Sequence, residues 1–173
     1  MYSSATTIRG GKLPITFYRS TDDLPDFLDY SMANRTYRYF KGQPQYAFGY
    51  GLSYTTFAVG NGKLSAKSMK PGSQVTLTVP VTNTGKREGT ETVQVYVKAL
   101  DDAGAPIKAL KGFQKLSLKA GETATAKITL DDEAFEYYDE SIDELAVRSG
   151  RYQILYGTSS LDKDLKQIDF VVK

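Results

Sequence analysis

The 173-residue chain contains no cysteine and no histidine. This excludes disulfides, thiol nucleophiles, Cys/His zinc sites and thioether-linked haem. It also excludes Ser-His-Asp chemistry and imidazole acid–base catalysis. Carboxylates, Lys, Tyr, Ser and Thr are what is left for chemistry. An excess of one charge is missing too: 22 Lys and Arg stand against 20 Asp and Glu, a net charge of +2. That balance gives no argument for a nucleic-acid or anionic-membrane partner. No apolar run approaches the ~18 residues of a membrane-spanning helix. The opening Met1-Tyr2-Ser3-Ser4 lacks the apolar stretch of a secretory signal.

The chain is 40% hydrophobic and 24% charged, which is globular composition. Its aromatic residues are unevenly spread: 13 of the 21 Tyr and Phe lie in the first 57 positions. Those positions carry six basic and four acidic groups, and the remainder carries sixteen of each. Two regions follow, 1–57 and 58–173.

The second region is a series of short strands separated by turns. Val75, Leu77, Val79 and Val81 alternate with Thr76, Thr78, Pro80 and Thr82, the two-residue period of a half-buried strand. Pro80, with no N–H, points to an edge position. Val93, Val95 and Val97 alternate with Gln94, Tyr96 and Lys98. Further strands are expected over 110–118 and 123–130, around Tyr152, Ile154 and Tyr156, and around Ile168, Phe170 and Val172. Pro71-Gly72, Asn83-Thr84-Gly85 and Lys119-Ala120-Gly121-Glu122 read as turns. Asp131 to Tyr138 suits a capped helical turn or two. Strands at about ten-residue spacing with almost no helical period predict an all-β protein: an antiparallel sandwich of the fibronectin type III or immunoglobulin kind. An irregular, aromatic-rich extension precedes it.

Within that extension, Leu13 to Tyr18 has the composition of a short strand, and Ser20 to Asp26 that of a cap or turn. From Asp26 to Gln45 no period is sustained. So long an aromatic stretch without regular structure must lie on another surface, one outside this chain by this reading.

Candidate sites are few. Residues 131–144 hold eight acidic side chains and no basic one. An EF-hand frame started at Asp139 finds Glu144 and Gly150 where Gly and Glu are required. A solvated loop is expected there rather than a cation site. Asp22, Asp23, Asp26 and Asp29 stand beside aromatics, but a glycosidase needs two carboxyl groups held rigidly across a bond, and an irregular stretch offers caps and turns instead. Gly49-Tyr50-Gly51 and Gly60-Asn61-Gly62-Lys63 match no phosphate-loop spacing. Asn34-Arg35-Thr36 is a glycosylation sequon. The densest feature comprises Tyr37, Arg38, Tyr39, Phe40, Tyr46, Phe48 and Tyr50. These residues form either a platform for carbohydrate, with Arg38 as a hydrogen-bonding fork, or a contact with a neighbouring domain. The interleaved Gly and Pro favour the domain contact.

The same residues resemble a known family. Leu13–Tyr18, Thr36-Tyr37-Arg38-Tyr39-Phe40, and Ala47-Phe48-Gly49-Tyr50-Gly51-Leu52-Ser53-Tyr54-Thr55-Thr56-Phe57 are similar to the end of family 3 glycoside hydrolases, mostly β-glucosidases and β-xylosidases. Asn83-Thr84-Gly85-Lys86 with Gly89–Tyr96, Leu110–Lys115 with Ala120-Gly121-Glu122, and Gly150-Arg151-Tyr152 with Gly157–Asp162 resemble their fibronectin type III-like domain. The resemblance implies that residues 1–57 are the tail of a preceding α/β domain plus a linker, with Leu13–Tyr18 its last strand. Residues 58–173 are then the accessory sandwich. In the family the nucleophilic Asp and the acid/base carboxylate lie on earlier domains, so no position here is assigned as catalytic. The chain alone is expected to be inactive, with no cofactor and no metal. Its implied partners are the barrel and α/β domains of a parent enzyme, in a periplasmic or secreted setting.

On this basis the sandwich is expected to brace the catalytic domains. The alternatives are a module anchoring the enzyme to plant polysaccharide or oligosaccharide and, on fold analogy alone, a protein-interaction module. Leu13–Tyr18, cut from its parent sheet, is expected to join the sandwich edge, self-associate or lose order.

Overall fold

The computed structural model describes residues 10–139 and 142–173; Met1-Tyr2-Ser3-Ser4, Glu140 and Ser141 lie outside them. Eleven strands run in chain order among the described residues: β1 (Phe57–Val59), β2 (Lys63–Leu64), β3 (Ser68–Met69), β4 (Val75–Asn83), β5 (Gly89–Ala99), β6 (Ala109–Leu118), β7 (Thr123–Leu130), β8 (Glu136–Asp139), β9 (Glu144–Val147), β10 (Gly150–Gly157) and β11 (Leu165–Val172). β7 pairs with one flank of β4, while β1 and β2 share the other. The second sheet runs β3-β11-β10-β5-β6, antiparallel except where β3 lies parallel to β11. β8 and β9 form a separate hairpin.

The predicted sandwich is what forms. β4 alternates buried and half-buried residues along its whole length. Its Val75, Leu77, Val79 and Val81 join Val93, Val95 and Val97 of β5, Ile128 and Leu130 of β7 and Ile154 of β10 in one core between the sheets. Phe135 is fully buried in that core. It stacks on Phe170 at 5.3 Å and meets Tyr152 edge-on, also at 5.3 Å. Filling the interior with branched aliphatics and a few rings removes apolar surface from water at about 25 cal/mol per Å².

Three details differ from the sequence reading. β4 is paired on both flanks, so Pro80 is not on an edge strand. The Pro80 carbonyl accepts from Gly60 N (2.8 Å), and a residue's N and O face the same side of a strand. The missing donor therefore faces the gap between β1 and β2, where it costs no ladder bond. The stretch from Asp131 makes only a single 3-10 turn, Asp132–Ala134, with no side-chain cap from Asp131. The acidic segment then becomes the β8–β9 hairpin rather than a loop, with Tyr138 OH donating to the Asp143 carboxylate across it.

β5 ends and β10 begins at a pair of ion pairs. Arg151 contacts Asp101 through its backbone N (2.7 Å) and guanidinium (2.6 Å), and Arg148 pairs with Asp102 at 2.6 Å. The Arg151 bonds hold the Asp101 carboxyl below its usual 3.8. A depressed carboxylate stabilises the fold above its unfolded pKa, and that stabilisation is lost as pH falls through the folded value. Both side chains are largely solvated, so the effect is small. Asp101→Asn should flatten the decline in urea midpoint below pH 3.8 and change little at neutrality. A slope unchanged by the substitution would contradict this assignment.

The extension is ordered by backbone bonds rather than by strands. Leu13 N donates to Tyr50 O and Gly49 N to Leu13 O (both 2.8 Å); Phe17 N donates to Tyr46 O and Gln45 N to Phe17 O (both 2.8 Å). Only Phe17 and Tyr46 count as a β-bridge. A regular strand fails between them because the Phe48 carbonyl, which would serve Ile15, turns instead to Ser160 N (2.9 Å). Ser20 caps a short turn over Thr21–Asp23 through a capping box. Asp26 and Asp29 accept from Leu28 N and Ser31 N at 2.8 Å each, closing Asx turns. All four aspartates of this stretch thus sit in caps and turns.

Candidate functional site

The outer face of β5 carries the site. Period-2 alternation sends Val93, Val95 and Val97 inward, and so turns Gln94 and Tyr96 outward. Both are nonetheless buried, because residues 37–50 lie over them. Tyr37 stacks on Phe48 at 4.2 Å with an interplanar angle of 19°, and each ring meets Tyr96 edge-on, at 5.8 and 6.5 Å. A bulge in β6 opposite Val95/Tyr96 shifts the register there. Beside it, Leu110 N donates to Tyr37 OH (3.0 Å) and Ile107 N to Arg38 O (2.7 Å).

Gln94 is the polar centre of this contact. Its Nε2 donates to Gly49 O (3.0 Å) and Thr158 O (2.8 Å), and its Oε1 accepts from Tyr96 OH (2.5 Å). Burial pushes the Tyr96 hydroxyl well above the usual tyrosine pKa, which keeps it a donor. Thr158 O also accepts from Lys12 Nζ (3.1 Å), and Lys12 pairs with the nearly buried Glu91 at 2.7 Å. Three distant stretches, 10–12, 48–50 and 158–160, are thus tied to a single strand face.

A second clasp holds the end of the extension. Asn83 is fully buried. Its Oδ1 accepts from Thr55 Oγ1 (2.8 Å) and Gly85 N (3.0 Å), while its Nδ2 donates to Arg87 O (2.7 Å) and Leu118 O (3.0 Å). Thr84 N adds a bond to Thr56 O (2.8 Å). The Asn83-Thr84-Gly85 turn is therefore also a lock on residues 55–56.

The seven candidate residues are split by this geometry. Tyr37, Phe40 and Phe48 face the protein, with Phe40 edge-on to Tyr18 at 4.8 Å. Tyr39 and Tyr50 are half-buried, and Arg38 and Tyr46 are exposed. Arg38 raises the local potential enough to help burial lower the pKa of Lys111, whose ammonium lies 5.9 Å over the Tyr137 ring. Beside these residues opens a cavity of about 700 Å³. Among the described residues no cluster of carboxylates could hold a metal ion. The arrangement holds residues 37–50 against the outer face of β5.

Gln94, Asn83 and Lys12, which tie the extension to the sandwich, are contact residues that pattern reasoning missed. The run Val93-Gln94-Val95-Tyr96-Val97 reads as half-solvated, and nothing local reveals its cover. The signal that existed was the resemblance itself: its quoted stretches include Phe48–Gly51, Gln94–Tyr96 and Thr158–Ser160, which the fold brings into contact.

A fibronectin type III-like domain model matches residues 91–160. The xylan 1,4-beta-xylosidase of Xylanibacter ruminicola is 50% identical over 159 residues, covering 92% of this chain and 18% of that enzyme. The periplasmic beta-glucosidase of Salmonella typhimurium is 38% identical over 163 residues, covering 87% and 21%. The beta-glucosidase of Kluyveromyces marxianus, solved with glucose, superposes with a TM-score of 0.82 at 32% identity, over 96% of this chain and 22% of that one. The chain belongs to the fibronectin type III-like segment of family 3 glycoside hydrolases. It spans about a fifth of the length of these relatives. In this chain the outer face of β5 is covered by residues 37–50.

Proposed function

We propose that residues 58–173 are a non-catalytic brace for the other domains of a β-glucosidase or β-xylosidase, and that residues 1–57 are the end of a preceding domain and the linker glued to the brace. The observation that carries this reading is the two-sided character of the extension. One side is fixed to β5 through Tyr37, Phe48 and Gln94. Apart from Tyr46 at the cavity, nine of the sixteen large hydrophobic side chains exposed among the described residues lie in the extension, between positions 15 and 54. Phe27, Tyr30, Leu52, Leu28 and Tyr54 are 74–89% exposed. So much apolar surface on one segment marks a face made to be covered. The greater length of the relatives supports another domain of the same polypeptide as the occupant. A brace of this kind keeps the substrate-binding geometry, where a displacement of about 1 Å is costly.

The polysaccharide-anchor reading has less support. Phe48 covers the face of Tyr37, and Phe40 is buried between Tyr18 and Gly42, whose Cα would place a Cβ 2.5 Å from its ring. Neither ring offers a free platform. The backbone groups of Leu13 and Phe17 are engaged within the chain, which also leaves less reason for self-association there.

The test compares one variant in two settings. Phe27→Asp with Leu28→Asp should move the urea midpoint of the 173-residue chain by less than about 0.5 kcal/mol, as for other exposed sites. In the full-length enzyme the same pair should cost about 1.5–3 kcal/mol per buried ring or aliphatic lost, and lower turnover. Equal behaviour in both settings would rule out the brace.

A further inference from the structure

We propose that the cavity between the 41–45 segment and the 160–163 loop binds the uronic acid of an acidic oligosaccharide. The cavity measures about 700 Å³, within the 300–1,000 Å³ or so of small-ligand sites. Its charge is one-sided: Arg19, Lys41, Lys108 and Lys163 line it against the single carboxylate of Asp162. The whole chain is nearly neutral, so this is a local concentration of positive charge.

Lys108 makes it a built site. Its side chain is only 8% exposed, and its ammonium donates to Ser160 O (2.8 Å) and to the Asp162 carboxylate. An ammonium has three donors, and these two partners take two of them, on a charge already stripped of most of its water. A ligand carboxylate would complete it without the desolvation cost that a mobile surface lysine brings. The Arg19 guanidinium at the same cavity offers a fork that matches a carboxylate.

The rest of the wall fits a sugar ring rather than a peptide. Tyr46 and Tyr50 stand 5.5 Å apart and tilted by 34°, with Tyr46 about half exposed. Phe17 also meets Tyr46 edge-on at 6.1 Å, so the exposed part of the Tyr46 ring is the apolar surface left for the C–H side of a pyranose. Gln43 and Gln45 add planar amides, each both donor and acceptor, suited to hydroxyls. This goes beyond the bracing reading and does not rest on it: the cavity is formed within the 173 residues, whereas bracing is measured in the longer enzyme.

The probe is a xylotriose carrying one 4-O-methylglucuronate, titrated into the 173-residue chain by calorimetry beside neutral xylotetraose. The acidic sugar should bind at least tenfold tighter, and its affinity should fall as salt rises from about 20 to 300 mM. Lys41→Ala with Lys163→Ala removes two exposed charges without touching the core and should weaken binding fivefold or more. Tyr46→Ala should weaken it threefold or more at unchanged salt dependence. Melting curves matching the unsubstituted chain show that the variants are folded. Equal affinity for the two sugars, no binding of either, indifference to the double substitution, or equal displacement by hexaglutamate would each overturn the proposal.

Discussion

Asn83→Ala is expected to lower the stability of the chain by about 3–5 kcal/mol, measured as a shift in urea midpoint with an unchanged slope. The size follows from what the amide does. It is fully buried at the end of β4 and serves four partners: Thr55 Oγ1, Gly85 N, Arg87 O and Leu118 O. Alanine leaves all four unsatisfied. A buried polar group left without a partner costs about 1–3 kcal/mol, and those nearest the surface recover part of it from water. The backbone at the same position holds the β6–β7 turn, accepting from Gly121 N (3.0 Å) and donating to Glu122 O (2.9 Å), so distortion spreads to both sheets. Asn83→Asp provides the contrast. It keeps the acceptor for Thr55 and Gly85 but turns a donor into a second acceptor facing two carbonyls, and should be no better than alanine at neutral pH. A loss below about 1 kcal/mol for Asn83→Ala would mean that the turn, and not the amide, holds this junction.

Part of this architecture was legible in the residues and part was not. β4 was read residue by residue because its alternation is long and unbroken, and a single one-residue slip would expose Val75, Leu77, Val79 and Val81 together. The two-residue strands β2 and β3 carry no period to read; pairing with β4 and β11 makes them strands. The acidic hairpin escaped because like charges argued against a helix, yet said nothing against a hairpin with exposed residues such as Tyr138, Glu144 and Leu145. The candidate site divided in the same way. The aromatic segment was correctly seen as lying on something. Its cover for Gln94 and Tyr96 was invisible because it comes from more than forty residues upstream, with no period of its own. The expectation that its whole partner lay outside the chain therefore failed for Tyr37 and Phe48, which pack on Tyr96 of β5, while Phe27 and Tyr30 are exposed.

Gly49→Ala separates docking from folding, and its effect should be local and large. Gly49 has φ +77°, where any L-residue other than Gly pays roughly 1–2 kcal/mol. A Cβ there would also stand 1.9 Å from Gln94 Oε1. Gln94 cannot swing aside cheaply, because its amide is held by Gly49 O, Thr158 O and Tyr96 OH. Moving it strands the Tyr96 hydroxyl against an apolar wall, at about 1–3 kcal/mol more. The sum, about 2–5 kcal/mol, falls on a segment that docks by its own few contacts. Residues 37–50 should lift from β5 while the sandwich core stays packed. Hydrogen exchange gives the readout. The amides of Gly49, Ser160 and Ile107, which bond to Leu13 O, Phe48 O and Arg38 O, should lose protection by a hundredfold or more. Those of β4 facing β7 should keep theirs. Uniform loss of protection across both sheets would show that the extension and the sandwich fold as one unit; no loss at Gly49 would show that the Gln94 contact is not what holds the linker down.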